Sequence, residues 1–153
     1  MIPNQWYPIL ESRQLSRSKP LGVTRLGERL VLWREANGRI VCMPDRCPHR
    51  SAMLSRGKIR DGCIECPYHG LRFNSAGRCT MIPANGRDAP VPSGFDVATN
   101  SVREHHGIIW YWYGAHQPAA ELPWHDEIAE LGGTRSPFTT TPRSRSFESW
   151  RTC

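Results

Sequence analysis

Two short motifs, Cys47-Pro48-His49 and Cys66-Pro67-Tyr68-His69, constrain this chain more than any other feature. Each pairs one thiol with one imidazole, and the 16 residues from Arg50 to Glu65 separate them. Thiolates are soft ligands that suit iron–sulfur clusters or zinc, and imidazole serves either metal. Each Cys precedes a proline, which removes a backbone donor and stiffens the loop, and Gly57, Gly62 and Gly70 are candidates for tight turns nearby. The six cysteines are Cys42, Cys47, Cys63, Cys66, Cys79 and Cys153. An even count fits a disulfide framework only in a secretory context. The opening Met1-Ile2-Pro3-Asn4-Gln5-Trp6 has neither a basic region nor a long apolar one. The expectation is therefore a cytoplasmic, reduced protein with a metal site. Cys42, Cys63 and Cys79 read as small buried hydrophobes and Cys153 as a tail thiol.

The rest of the chain reads as short strands punctuated by turns. Glu28 to Glu35 is strand-like, followed by the hairpin signal Asn37-Gly38 and a second apolar run from Ile40 to Met43. Trp6 to Ile9, Leu21 to Leu26 and the aromatic, β-branched run Ile108 to Tyr113 read as further strands. Ile59 and Cys63 to Glu65 flank an Asp61-Gly62 turn, and Leu71-Arg72-Phe73 leads into the turn residues Asn74 to Gly77. No stretch before residue 120 has a helical period, so the fold class is all-β, with two loops interrupting the strands at the Cys/His pairs. Beyond Ala115 a short helix is predicted at His125 to Leu131, ended by Gly132-Gly133. The Ser/Thr/Arg/Pro composition from Thr134 onward predicts a disordered tail. The longest apolar run, Ile108 to Tyr113, is far below the ~20 residues of a membrane span. The formal charge of +6 comes from scattered arginines with no nucleic-acid-binding motif beside them, so neither a membrane nor a nucleic-acid partner is expected. An acidic electron-donor protein is the better match for a positive face.

Two pairs of unlike donors, each on its own loop, suit a binuclear cluster whose irons need different ligands. A zinc site of Cys2His2 type accepts the same four side chains and stays open at this point.

The chain resembles the Rieske [2Fe-2S] domain of Rieske non-haem iron oxygenases. The resemblance is carried by Cys47-Pro-His49-Arg50, Cys66-Pro-Tyr-His69-Gly70, Phe73 and Gly77-Arg-Cys79. It extends to Asn4-Gln5-Trp6-Tyr7-Pro8 near the start and Gly107-Ile-Ile-Trp-Tyr-Trp near the end, so it covers residues 4–116. It implies an antiparallel β-sandwich with a small cluster-binding subdomain of two loops. It also implies that Cys47 and Cys66 hold one iron while His49 and His69 hold the redox-active one. Residues 117–153 would be a linker and tail at the start of a catalytic domain.

Two departures narrow the subtype. Rieske proteins of cytochrome bc complexes have an extra disulfide across the loops, and here those positions are Ala52 and Tyr68. Their cluster-bonding Ser and Tyr are replaced by Leu71 and Phe73. Fewer hydrogen bonds to the sulfurs place the potential in the lower part of the range of about −150 to +300 mV. The family's catalytic mononuclear iron uses two histidines and a carboxylate, whereas only His125 lies beyond residue 116, so no catalytic residue is assigned in this chain. The chain then reads as a fragment, a truncated product or a small protein acting by itself. The resemblance implies electron transfer within an oxygenase that hydroxylates or demethylates aromatic substrates using dioxygen. Its partners would be a reductase or ferredoxin donor and an oxygenase catalytic domain or neighbouring subunit, in a homotrimer when full-length. A free-standing Rieske ferredoxin and a zinc-stabilised binding module are the alternatives.

Overall fold

The apolar runs Leu30-Val31-Leu32-Trp33 and Ile40-Val41-Cys42-Met43 are apolar at every position, the pattern of strands covered on both faces. They form the central hairpin of the computed structural model, which describes residues 1–86, 89–114, 118 and 121–122. The strands are β1 (Gln5–Glu11), β2 (Leu21–Arg25), β3 (Glu28–Arg34), β4 (Ile40–Pro44), β5 (Lys58–Arg60), β6 (Cys63–Glu65), β7 (Arg72–Phe73), β8 (Cys79–Met81), β9 (Val102–His105) and β10 (Ile108–Tyr113). Single 3₁₀ turns at Ser12–Gln14, Leu54–Arg56 and Pro83–Asn85 are the helical elements among the described residues. No helix there is long and apolar enough to cross a membrane.

Three antiparallel sheets result, in the orders β1-β10-β9, β2-β3-β4 and β5-β6-β7-β8. Side chains alternate across a strand, so the β3–β4 hairpin serves two cores. Leu30, Leu32, Ile40 and Cys42 face one core with Ile9, Leu10, Ile109 and Tyr111 of β1 and β10. Val31, Trp33, Val41 and Met43 face the other, with Leu54, Ile64, Leu71, Phe73 and both motif cysteines. The two three-stranded sheets also join through backbone: Asn100 N–H donates to Cys42 O at 2.8 Å. Tyr111 OH donates to Glu28 at 3.1 Å, tying β10 to β3.

The all-β expectation holds, and each predicted strand forms. The Asn37-Gly38 turn spans Ala36 to Gly38, with Gly38 in the left-handed region (φ 88°) and Glu35 N–H closing on Arg39 O at 2.9 Å. Strands β8 and β9 go beyond the sequence reading, because Cys79-Thr-Met is very short and Val102-Arg-Glu-His carries polar residues on an edge. His105 is the last residue of β9. His106 leaves the strand with φ 48°, in a turn shared with Gly107, and its ring lies 4.3 Å from that of His105. The predicted helix at His125 to Leu131, Cys153, the Ser/Thr/Arg tail and most of the 117–153 linker lie outside the described residues.

Candidate metal centre

The two motifs occupy two loops of the same design. The first, Cys47 to Ala52, follows β4, and the second, Cys66 to Leu71, connects β6 to β7. In the first loop, Cys47 N–H donates to Ala52 O and Ser51 N–H donates to Cys47 O, both at 2.8 Å. In the second, Cys66 N–H donates to Leu71 O at 2.8 Å and Gly70 N–H donates to Cys66 O at 3.1 Å. The fifth residue of each loop is left-handed, Ser51 at φ 58° and Gly70 at φ 72°. Glycine adopts that conformation freely. Ser51 has a side chain to accommodate there, and its hydroxyl accepts from Arg46 Nε at 2.8 Å. The two thiols therefore emerge from equivalent positions, while the histidines stand third in one loop and fourth in the other.

This arrangement separates the donors by environment. Cys47 and Cys66 are 2% and 3% exposed, and neither is in a disulfide. Burial pushes the Cys47 thiol up to about 11. The backbone N–H of His49 opposes that shift, the neighbouring Cys66 sulfur adds to it, and the N–H of Arg50 opposes it again. A thiol of this kind is inert by itself, and a bound cation would deprotonate it. The imidazoles of His49 and His69 are exposed, with ring centres 4.7 Å apart. Tyr68 lies against His69 at 3.8 Å and is itself 57% exposed. Phe95 flanks His49 at 6.5 Å.

The structure thus brings the sulfurs together as a buried pair and the rings together as an exposed pair. A donor set sorted into a buried pair of sulfurs and an exposed pair of imidazoles fits a cluster with two unlike irons. Two anion-stabilising N–H groups at the Cys47 sulfur strengthen the fit.

The neighbouring residues agree with a centre of low hydrogen-bond content. Ala52 packs against the core, and the side chains of Leu71 and Phe73 are buried and bring no donor. Sequence reasoning did not pick out Phe95. It stands at the end of a proline-bearing stretch, Ala89-Pro-Val-Pro-Ser-Gly, and neither its spacing nor its type marks it as a neighbour of His49. Cys42 and Cys79 are buried as predicted and Cys63 is half-buried. Burial pushes the thiol of Cys42 up to about 12 and that of Cys79 up as well, in keeping with an apolar role.

Comparison with known proteins places this geometry. "Protein TIC 55, chloroplastic" of Pisum sativum is 37% identical over 130 residues, which is 84% of this chain and 24% of the pea protein. "Aminopyrrolnitrin oxygenase PrnD" of Pseudomonas fluorescens is 39% identical over 122 residues, 77% of this chain and 33% of that protein. The crystal structure of apo dicamba monooxygenase superposes with a TM-score of 0.70 at 36% identity, covering 80% of this chain and 37% of the other. The chain therefore spans about a quarter to a third of the length of these curated relatives. The model of the Rieske [2Fe-2S] domain matches residues 5–102, from β1 through both cysteine loops to the start of β9, and the chain belongs to that family.

Proposed function

We propose that this chain is the electron-transfer domain of an oxygenase that hydroxylates or demethylates aromatic substrates with dioxygen. In this reading Cys47 and Cys66 hold one iron of a [2Fe-2S] cluster, and His49 and His69 hold the other. The observation that carries it is the sorting of donors on two matching loops, with sulfurs inside and imidazole edges outside. When bound, the cluster supplies a reversible one-electron site on its histidine-held iron.

The chain's own residues do the rest. Leu54, Leu71 and Phe73 keep water from the sulfur side. His49 and His69 present ring edges to solvent, where a partner can approach, and Tyr68 and Phe95 fix the ring positions by contact. The electron donor would be a reductase or a ferredoxin. The acceptor would be a mononuclear iron in a catalytic domain or a neighbouring subunit, within a homotrimer of the full-length protein. Relatives more than twice as long, among them a dicamba monooxygenase and an aminopyrrolnitrin oxygenase, support this reading over a free-standing ferredoxin. Residues 4–116 are proposed as the electron-transfer domain and 117–153 as the start of the connection beyond it. The free cysteines Cys42, Cys47, Cys63, Cys66 and Cys79 suit a reducing compartment, and a cytoplasmic location is proposed on that ground.

The deciding measurement is an EPR spectrum of anaerobically purified, dithionite-reduced protein, with iron and acid-labile sulfide assayed on the same sample. About two irons and two sulfides per chain with a rhombic signal of low average g are expected. Stoichiometric zinc with a silent spectrum would overturn the reading. His69→Cys should lower the potential or prevent assembly, because a thiolate adds negative charge at the cycling iron. An unchanged potential in a fully loaded variant would remove His69 from the ligand set.

A further inference from the structure

Asp45 is the one charged residue buried among the described residues, and its side chain is 0% exposed. It follows Pro44 at the end of β4 and precedes Cys47 by two residues, so the two Cα atoms lie within about 7 Å of each other. Its Oδ1 accepts the Ser55 backbone N–H at 2.7 Å, and its Oδ2 accepts the Ser55 hydroxyl at 2.7 Å. Arg29, itself largely exposed, brings Nε to 3.6 Å, and the Asp45 N–H donates to Arg29 O at 2.8 Å. Gly22 of β2 leaves room for this cluster: a Cβ there would overlap the Ser55 hydroxyl and lie 3.1 Å from Asp45 Oδ2.

The two cysteine loops, so alike in backbone, differ at their bases. The second is closed by a strand ladder, with Glu65 opposite Arg72 and an ion pair of 2.9 Å between them. The first runs from β4 into the 3₁₀ turn Leu54–Arg56, two elements that are not paired as strands. Asp45 and Ser55 stand on either side of that open base, and their two hydrogen bonds do what the ladder does in the other loop. A buried carboxylate is costly to desolvate unless charge-assisted bonds compensate it. The exposed Arg29 at 3.6 Å neutralises it only in part.

We propose that Asp45 is a positioning residue of the metal centre, tying the first loop so that Cys47 and His49 meet the second, and that its carboxylate, two residues before Cys47, opposes reduction of the cluster. The proposal rests on the cluster reading above.

Its test compares the wild-type chain with Asp45→Asn, Ser55→Ala and Arg29→Met. Each is assayed for iron and sulfide content, EPR g-values, midpoint potential and thermal unfolding. Asp45→Asn retains the shape and removes the charge. Its midpoint should rise by an amount equivalent to at least a tenfold change in the reduction equilibrium, about 59 mV for one electron. Ser55→Ala keeps the charge and loosens the loop, so cluster content should fall with a smaller change in potential. Arg29→Met sits at the surface and leaves the fold intact even if Asp45→Asn does not fold. By exposing the uncompensated charge it should move the midpoint the opposite way, downward. Loaded variants whose midpoints and g-values all match the wild type would overturn the proposal and leave the cluster reading standing. Variants that only unfold at lower temperature, with unmoved potentials, would do the same. A wild-type chain that takes up no cluster would overturn both.

Discussion

One face of the β3–β4 hairpin packs on strands of seven and six residues, β1 and β10, while the other packs on strands of two or three, β5 to β8. The first region is a scaffold in the ordinary sense. Long ladders and aliphatic or aromatic burial hold it, and hydrophobic area is the dominant favourable contribution. The second has too little ladder to close by itself. Its core contains Cys47, Cys66 and Cys79, so two of the side chains that fill it are also the proposed ligands. It relies on left-handed turns, on close backbone approach and on the charged pairs Glu65–Arg72 and Glu65–Arg60, at 2.9 and 3.4 Å. In such a region, metal binding and folding draw on the same residues, whereas in the scaffold they are separate.

The largest single effect should come from the scaffold. Leu32 is fully buried on the β1/β10 side, and Leu32→Ala should cost about 3–4 kcal/mol, read as a lower urea midpoint. The chains that remain folded should still hold iron at the wild-type ratio. Iron loss from folded Leu32→Ala protein would show that the two regions are not separable in this way.

Gly57→Ala should behave in the reverse manner. Gly57 follows the 3₁₀ turn Leu54–Arg56, and its Cα faces the Glu65 carbonyl so closely that a Cβ would overlap that oxygen. Glu65 immediately precedes Cys66, so the displaced backbone is that of the second loop. We expect about 2 kcal/mol of destabilisation, with iron per chain clearly below that of the wild type. A fully loaded Gly57→Ala protein would mean that this loop tolerates movement, against the contrast drawn between the regions.

The same contrast explains which features were legible in the sequence. The scaffold strands β3, β4 and β10 announce themselves as unbroken apolar runs, a local signal. The Asp61-Gly62 pair marks its turn, and both residues are left-handed, at φ 52° and 75°. The four candidate ligands were legible because residue type and spacing sufficed. The likeness of the two loops was not, since one loop has Gly70 at its left-handed position and the other has Ser51, a residue that does not advertise it. Nor was Asp45, which looks like any acidic residue until Ser55 and Arg29 are placed around it. Phe95 was missed for the same reason, because its place beside His49 depends on a contact across a long stretch of chain, whereas β9 was missed because its polar residues hide an edge strand.

The scaffold also contains a charged device of the kind found around the loops, and it gives the smallest and sharpest of the expected effects. Arg34 of β3 grips Glu104 of β9 with two bonds of 2.7 and 2.9 Å across 70 residues of sequence. The same guanidinium donates to Gly38 O at 3.1 Å, Ser12 O at 3.3 Å and Leu15 O at 3.4 Å. Arg34→Met keeps the aliphatic stem and removes all five bonds, for a loss of about 1–2 kcal/mol at neutral pH. Arg34 holds the Glu104 carboxyl below the ordinary carboxylate range. The ion pair's contribution is therefore present above the unfolded value of about 4.3 and fades as pH falls through the lower folded value. Urea denaturation of wild type and Arg34→Met at pH 7, 5 and 3 separates the two parts. A gap that narrows toward pH 3 assigns the stabilisation to the charged pair. A gap that persists assigns it to the three carbonyls, making Arg34 a backbone clamp of the scaffold whose charge is secondary.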